Sequence, residues 1–119
     1  MSIKTGSCHC QKVIFQVDLG GNIFKNIYRC NCSVCKKKSI VMKPVSIKKF
    51  KILKGKNNLN CYKWNKKIAE HFFCNKCGVY THHKRRRYPT QFAINLACLE
   101  GITMPPENKI ILVNGSSHS

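Results

Sequence analysis

Seven of the nine cysteines stand in three tight groups, Cys8-x-Cys10, Cys30-x-Cys32-x-x-Cys35 and Cys74-x-x-Cys77, while Cys61 and Cys98 stand apart. Zinc holds thiolate sulfur at roughly 2.3 Å in a tetrahedron, and short spacings bring ligands to one point at little loop-closure entropy. A disulfide framework fits poorly, because the cysteine count is odd and a bridge across Cys-x-Cys is strained. Met1 to Ser7 contain no apolar run of the signal-peptide kind, and no stretch reaches the ~20 apolar residues of a membrane span. The sequence therefore predicts zinc-bound thiolates in a cytoplasmic, reducing setting, away from membranes.

The three groups differ in what they offer. Residues i and i+2 of an extended strand share a face, so Cys8 and Cys10 can grip one ion. Cys74-x-x-Cys77-Gly78 reads as a knuckle, a turn that aims backbone N–H groups at sulfur and leaves through a glycine. Together the two pairs predict a closed four-thiolate site of the structural kind. Cys30, Cys32 and Cys35 supply only three ligands. Three ligands and an open position is the arrangement of a catalytic zinc, where a bound thiol or water gives up its proton more readily. On spacing alone, a histidine or Cys61 could instead close that shell and leave it inert.

Other residues could serve a substrate. His82 and His83 face opposite ways on a predicted strand, so only one can reach a given site. His83 as an acid–base group, and Arg85 as a fork for a carboxylate, are the candidate substrate-binding residues. His71 reads as structural; Trp64, Phe72, Phe73 and Phe92 read as core, and Cys61 and Cys98 as small buried hydrophobes. With only Asp18, Glu70, Glu100 and Glu107 as acids, the sequence disfavours hydrolysis by a carboxylate pair. There is no glycine-rich phosphate loop.

The formal net charge is +18, which seven bound thiolates and two zinc ions would reduce to about +15. Such a surface attracts polyanions nonspecifically at low salt. Lysines outnumber arginines 18 to 4 and are scattered, which suits a solvated surface better than a dedicated nucleic-acid site.

The elements that must position these residues are mostly strands. Val13, Phe15 and Val17 alternate on one face of a half-buried strand. Ile23 to Arg29 can return as a second strand delivering Cys30, and residues 39–42 resume the sheet until Pro44. Residues 45–54 suit either a helical turn or extended chain. Residues 59–64 and 68–73 read as a hairpin around Asn65-Lys66-Lys67. Strands over 78–83, 92–99 and 110–113 complete an all-β chain with no long amphipathic helix. The expected organisation is one domain over residues 1–113 and a frayed tail over 114–119.

In this order and with these flanks, the groups resemble the family of glutathione-dependent formaldehyde-activating enzymes, which includes centromere protein V. The matching residues are Gly6-Ser7-Cys8-His9-Cys10 with Val13-x-Phe15-x-Val17, then Cys30-x-Cys32-Ser33-x-Cys35, then Phe73-Cys74-x-x-Cys77-Gly78. Residues 81–86 and 95–101 are similar to a subgroup of that family. The resemblance implies two β-sheets leaning together like a tent with zinc at the top. It also implies a structural zinc on Cys8, Cys10, Cys74 and Cys77 and a catalytic zinc on Cys30, Cys32 and Cys35. The implied reaction is that of a carbon–sulfur lyase making S-hydroxymethylglutathione from formaldehyde and glutathione, so a small thiol or its adduct is the expected partner. Gln11 stands where the family usually has a glycine, and the chain ends soon after its last predicted strand. A non-catalytic zinc module that binds nucleic acid or an acidic protein is the alternative, and a zinc store or redox sensor a third.

Overall fold

The computed structural model describes residues 3–31, 33–63, 69–86 and 88–113. Its strands are β1 (Ile3–Ser7), β2 (Ile14–Asp18), β3 (Tyr28–Cys30), β4 (Met42–Ser46), β5 (Phe50–Lys54), β6 (Leu59–Tyr62), β7 (Glu70–Cys74), β8 (Tyr80–Lys84), β9 (Gln91–Asn95) and β10 (Ile111–Val113). One short helix, α1 (Ser33–Lys38), sits between β3 and β4. The strands form two sheets, as the resemblance implied: a small one ordered β1-β2-β5 and a large one ordered β10-β3-β4-β9-β8-β7-β6. Neighbours run antiparallel except β10, which lies parallel to β3.

The alternation of Val13, Phe15 and Val17 is realised in full, for all three side chains are completely buried. Phe15 and Val17 cluster with Val45 and Ile94 from the large sheet and with Leu96 just after β9, so the core lies between the sheets. Burying each such side chain contributes about 1.5–3 kcal/mol. Phe50 of β5 extends the contact: its ring stacks on Phe15 at 5.1 Å and meets Phe92 edge-on at 5.1 Å. Gly6 is required by the same packing. A Cβ there would lie 2.4 Å from the Phe15 ring, which crosses β1 at that point.

The strand expected over residues 23–29 is confined to Tyr28–Cys30. Before it the chain turns, with the Asn22 side chain accepting from the Phe24 N–H and Asn26 at φ 62°. Buried Lys43 fixes that turn by donating to the carbonyls of Asn22 (3.2 Å) and Lys25 (2.6 Å). The sheet does not stop at Pro44, which pairs with Ala93 inside β4. β3 pairs with β4 only at Met42, so the proline lacks an N–H where β4 has no second partner to require it. Residues 47–49 form a 3-10 turn and the chain is then extended, which settles the ambiguous 45–54 segment as both. The hairpin of β6 and β7 is present; Trp64 and its turn Asn65-Lys66-Lys67 lie outside the described residues, as does the expected tail. Among the described residues, no helix is long and apolar enough to cross a membrane.

Candidate metal centre

Cys8 and Cys10 follow β1 at the tip of the β1–β2 hairpin. Cys74 and Cys77 occupy the tip of the β7–β8 hairpin. One hairpin belongs to each sheet, and their tips meet. The four sulfurs lie within 4.8 Å of one another, with Cys8–Cys10 at 3.6 Å and Cys10–Cys74 at 3.7 Å. Sulfurs around a tetrahedral zinc at 2.3 Å stand about 3.8 Å apart, whereas a disulfide needs about 2.05 Å. The spacing is that of a metal cage. Val13, Leu59 and Val79 pack around the buried Cys8 and Cys74 and shield one side.

The two tips are built alike. Cys8 N–H bonds to the Val13 carbonyl at 3.1 Å, and Cys74 N–H to the Val79 carbonyl at 3.0 Å. Backbone N–H groups point inward at sulfur: Val13 to Cys8 at 3.4 Å and Lys76 to Cys74 at 3.3 Å, with those of Lys12 and Val79 on Cys10 and Cys77. The N–H of Cys10, joined by that of Val79 and the thiols of Cys74 and Cys8, holds Cys77 down at about 6 against burial. At Cys10 the Lys12 N–H pulls down, but burial and the neighbouring thiols outweigh it and push the group up to about 11. Cys74 is drawn down although burial opposes it, by the N–H groups of Cys77 and Lys76 and two thiols. Four thiols so close cannot all ionise alone, because each thiolate disfavours the next. A divalent cation at their centre removes that conflict, so the donor set fits zinc.

Each tip leaves its last cysteine through a left-handed residue, Gln11 at φ 64° and Gly78 at φ 78°. A side chain in that conformation costs roughly 1–2 kcal/mol, partly offset because glycine loses more entropy on folding. Gln11→Gly is therefore expected to stabilise the protein by about 0.5–1 kcal/mol, and Gly78→Ala to destabilise it by a similar amount. Nothing lies within 4 Å of a Cβ at Gly78, so its variant reads backbone strain alone. Urea titration of the zinc-loaded proteins checks both signs.

The second set is placed less completely. Cys30 ends β3, half-buried, and Cys35 is buried in α1, which packs on β3. Cys32, between them, lies outside the described residues. Cys98 packs against the main core and donates to the Tyr80 carbonyl at 3.6 Å; burial, with Cys8 and Cys77 adding, pushes its thiol up to about 12. Cys61 corrects its expectation. It is exposed on β6, an edge strand of the large sheet, and its thiol is also pushed up by what burial it has.

His82 and His83 do face opposite sides of β8. His82 enters the core, stacked on Phe72 at 4.6 Å and close to Phe50 and Phe92, with Nδ1 2.9 Å from the Thr81 hydroxyl. Burial lowers its pKa to about 3, so it is a neutral core histidine. His83 lies on the other face with Nδ1 2.5 Å from the Tyr80 hydroxyl, which is also 3.1 Å from Nδ1 of His71. Arg85 sets its guanidinium between the rings of Tyr28 (4.9 Å) and Tyr88 (4.7 Å) and donates to Gln91 at 2.8 Å. Tyr28 is two residues from Cys30, so Arg85 sits beside the strand that carries that cysteine. The pattern of residue types gave no warning of the His71–Tyr80 contact, because simple alternation puts Tyr80 and His83 on opposite faces.

Comparison with known proteins agrees with this geometry. The family model described as glutathione-dependent formaldehyde-activating enzyme matches residues 3–113. A Rhodobacter sphaeroides protein of known crystal structure is 34% identical and superposes with a TM-score of 0.84, over 92% of this chain and 99% of that one. The matched residues include both hairpin tips and strands of both sheets, and the chain belongs to the glutathione-dependent formaldehyde-activating enzyme family.

Proposed function

We propose that the protein is a zinc-dependent carbon–sulfur lyase-like enzyme that forms or cleaves a thiol–carbonyl adduct of the S-hydroxymethylglutathione type. One observation carries the reading. The four-thiol cage accounts for Cys8, Cys10, Cys74 and Cys77, and so leaves Cys30 and Cys35 on adjoining elements with Cys32 between them. The cage would be a closed, structural site; Cys30, Cys32 and Cys35 would hold a second zinc and leave it a position for substrate. Zinc there supplies a Lewis-acidic centre that favours the thiolate form of a thiol. The other tasks fall to side chains. Arg85, braced between two tyrosines, offers its guanidinium to a substrate carboxylate, and His83 faces the same side of the large sheet as Tyr80.

The test is Cys30→Ser. It is expected to hold one zinc where the wild type holds two, to melt within a few degrees of wild type, and to lose adduct formation from formaldehyde and glutathione. A variant that keeps both ions and full turnover would sink the open-site reading. So would a wild-type protein, loaded with two zinc ions, that makes no adduct. A second reading, a non-catalytic module that docks on polyanions, rests on the +18 charge. It requires sequence-selective DNA binding that survives physiological salt.

A further inference from the structure

Three buried titratable groups are used neither by the cage nor by the Cys30–Cys35 segment. His71, Tyr80 and His83 are 3, 6 and 7% exposed. The Tyr80 hydroxyl lies between Nδ1 of His71 and Nδ1 of His83, and the two imidazoles stack with centroids 5.0 Å apart. A register shift between Phe72 and Phe73, opposite Tyr80–His82, brings Tyr80 round to the side of His83. A phenol has one proton to give and lone pairs to accept, so it donates to one imidazole and accepts from the other. The three groups form a directional chain. Apolar side chains would fill the same face without desolvating three polar groups, so packing alone does not call for them.

The chain borders the cluster that Cys30 joins and one open cavity. Tyr80 packs with Tyr28, Met42 and Ala93, the cluster against which Cys30 lies. Lys38, near Cys35 on α1, sets its ammonium 4.2 Å from the Tyr80 ring centre. His71 meets the ring of Tyr62, 6.5 Å between centroids. Tyr62, Lys38, Asn60 and Phe73 line an open cavity of about 630 Å³.

We propose that His71, Tyr80 and His83 are the proton relay of the carbon–sulfur reaction, an inference that rests on the functional reading above. When a thiol adds to a carbonyl, the C–S bond forms and the C=O π bond breaks. The thiol proton leaves and the carbonyl oxygen gains one, so no proton is consumed overall. The relay receives the first proton and returns one to the oxygen; cleavage runs the same transfers backward. Among the described residues, the ionisable groups that touch it include Lys38 of α1, Tyr62 of β6 and Cys98 after β9.

His83→Asn is the discriminating variant. Its amide can occupy the place of the ring Nδ1 and keep the bond to Tyr80, yet it cannot carry a proton. With formaldehyde and glutathione, kcat is expected to fall by about 100-fold or more while KM stays within about twofold. Zinc content and melting temperature should match wild type, which a purely structural histidine would also allow, but without the loss of kcat. If His83→Asn does not fold, Tyr80→Phe is read in the same way. Nitrogen-15 spectra of the wild type give a readout besides activity: the Nδ1 atoms of His71 and His83 should show opposite protonation. Turnover within about threefold of wild type in the folded variant, or two Nδ1 atoms in the same state, overturns the relay. Absence of adduct formation by the wild type overturns the functional reading and the relay with it, whereas an active wild type and an active variant overturn the relay alone.

Discussion

Cys74→Ser is expected to unfold the protein under conditions where wild type melts cooperatively, and to release the metal of the cage in the same step. Cys74 is completely buried, accepts backbone N–H groups, and stands 64 residues from Cys10, whose sulfur it faces. A clasp over so long a loop removes unfolded-chain entropy worth about 4 kcal/mol, on the loop-closure scale used for cross-links. Breaking the shell also forfeits part of the zinc-binding free energy, which is folding free energy when the unfolded chain holds no preformed site. A domain of this size has roughly 5–15 kcal/mol to lose. Circular dichroism melts with metal analysis decide the matter. A Cys74→Ser protein that melts as wild type would mean the sheets hold together without the clasp.

The second large effect is a pH dependence. His82 is neutral in the folded protein down to about 3, while in the unfolded chain it takes a proton near the ordinary value of 6.5. Between those values the unfolded state binds more protons, so the contribution to stability is complete above 6.5 and is lost as pH falls toward 3. The slope is at most about 1.4 kcal/mol per pH unit, or on the order of 2–3 kcal/mol between pH 6.5 and 4.5. His82→Phe should abolish this slope. The new ring fits among Phe50, Phe72 and Phe92, and the Thr81 hydroxyl still reaches the Phe72 carbonyl at 3.4 Å. Acid also strips metal from thiolates, but equally in both proteins, so the difference between the two urea-denaturation curves isolates His82. Parallel curves would show that His82 is solvated.

The features legible in the sequence are those fixed by local pattern. Val13, Phe15 and Val17 announced the inner face of β2 by strict alternation, and the Cys74-x-x-Cys77-Gly78 knuckle announced its left-handed exit. The four-thiol cage followed from ligand arithmetic, since neither pair fills a tetrahedron alone. What local pattern missed depends on contacts distant in sequence. The turn at Asn22–Asn26 is held by Lys43, whose ammonium arrives from another strand. Helix α1 spans six residues, too few for a hydrophobic period to register. Cys61 is exposed because β6 is an edge strand, and strand order does not appear in any window of the sequence. The Tyr80–His83 contact depends on a single irregular register step, which alternation cannot foresee.

The parallel pairing of β10 with β3 makes remote parts of the chain into close neighbours. Val113 lies opposite Cys30, its carbonyl accepts the Asn31 N–H at 3.1 Å, and Ile111 N–H reaches the Ile27 carbonyl at 3.0 Å. Arg29 reaches Glu107 across the same seam. Mechanical load on residue 113 is therefore delivered to the backbone beside Cys30, whereas load on residue 3 enters the small sheet. A fusion partner for handling or immobilising this protein belongs at the residue-3 end, because one joined after residue 113 would pull on the strand that carries Cys30.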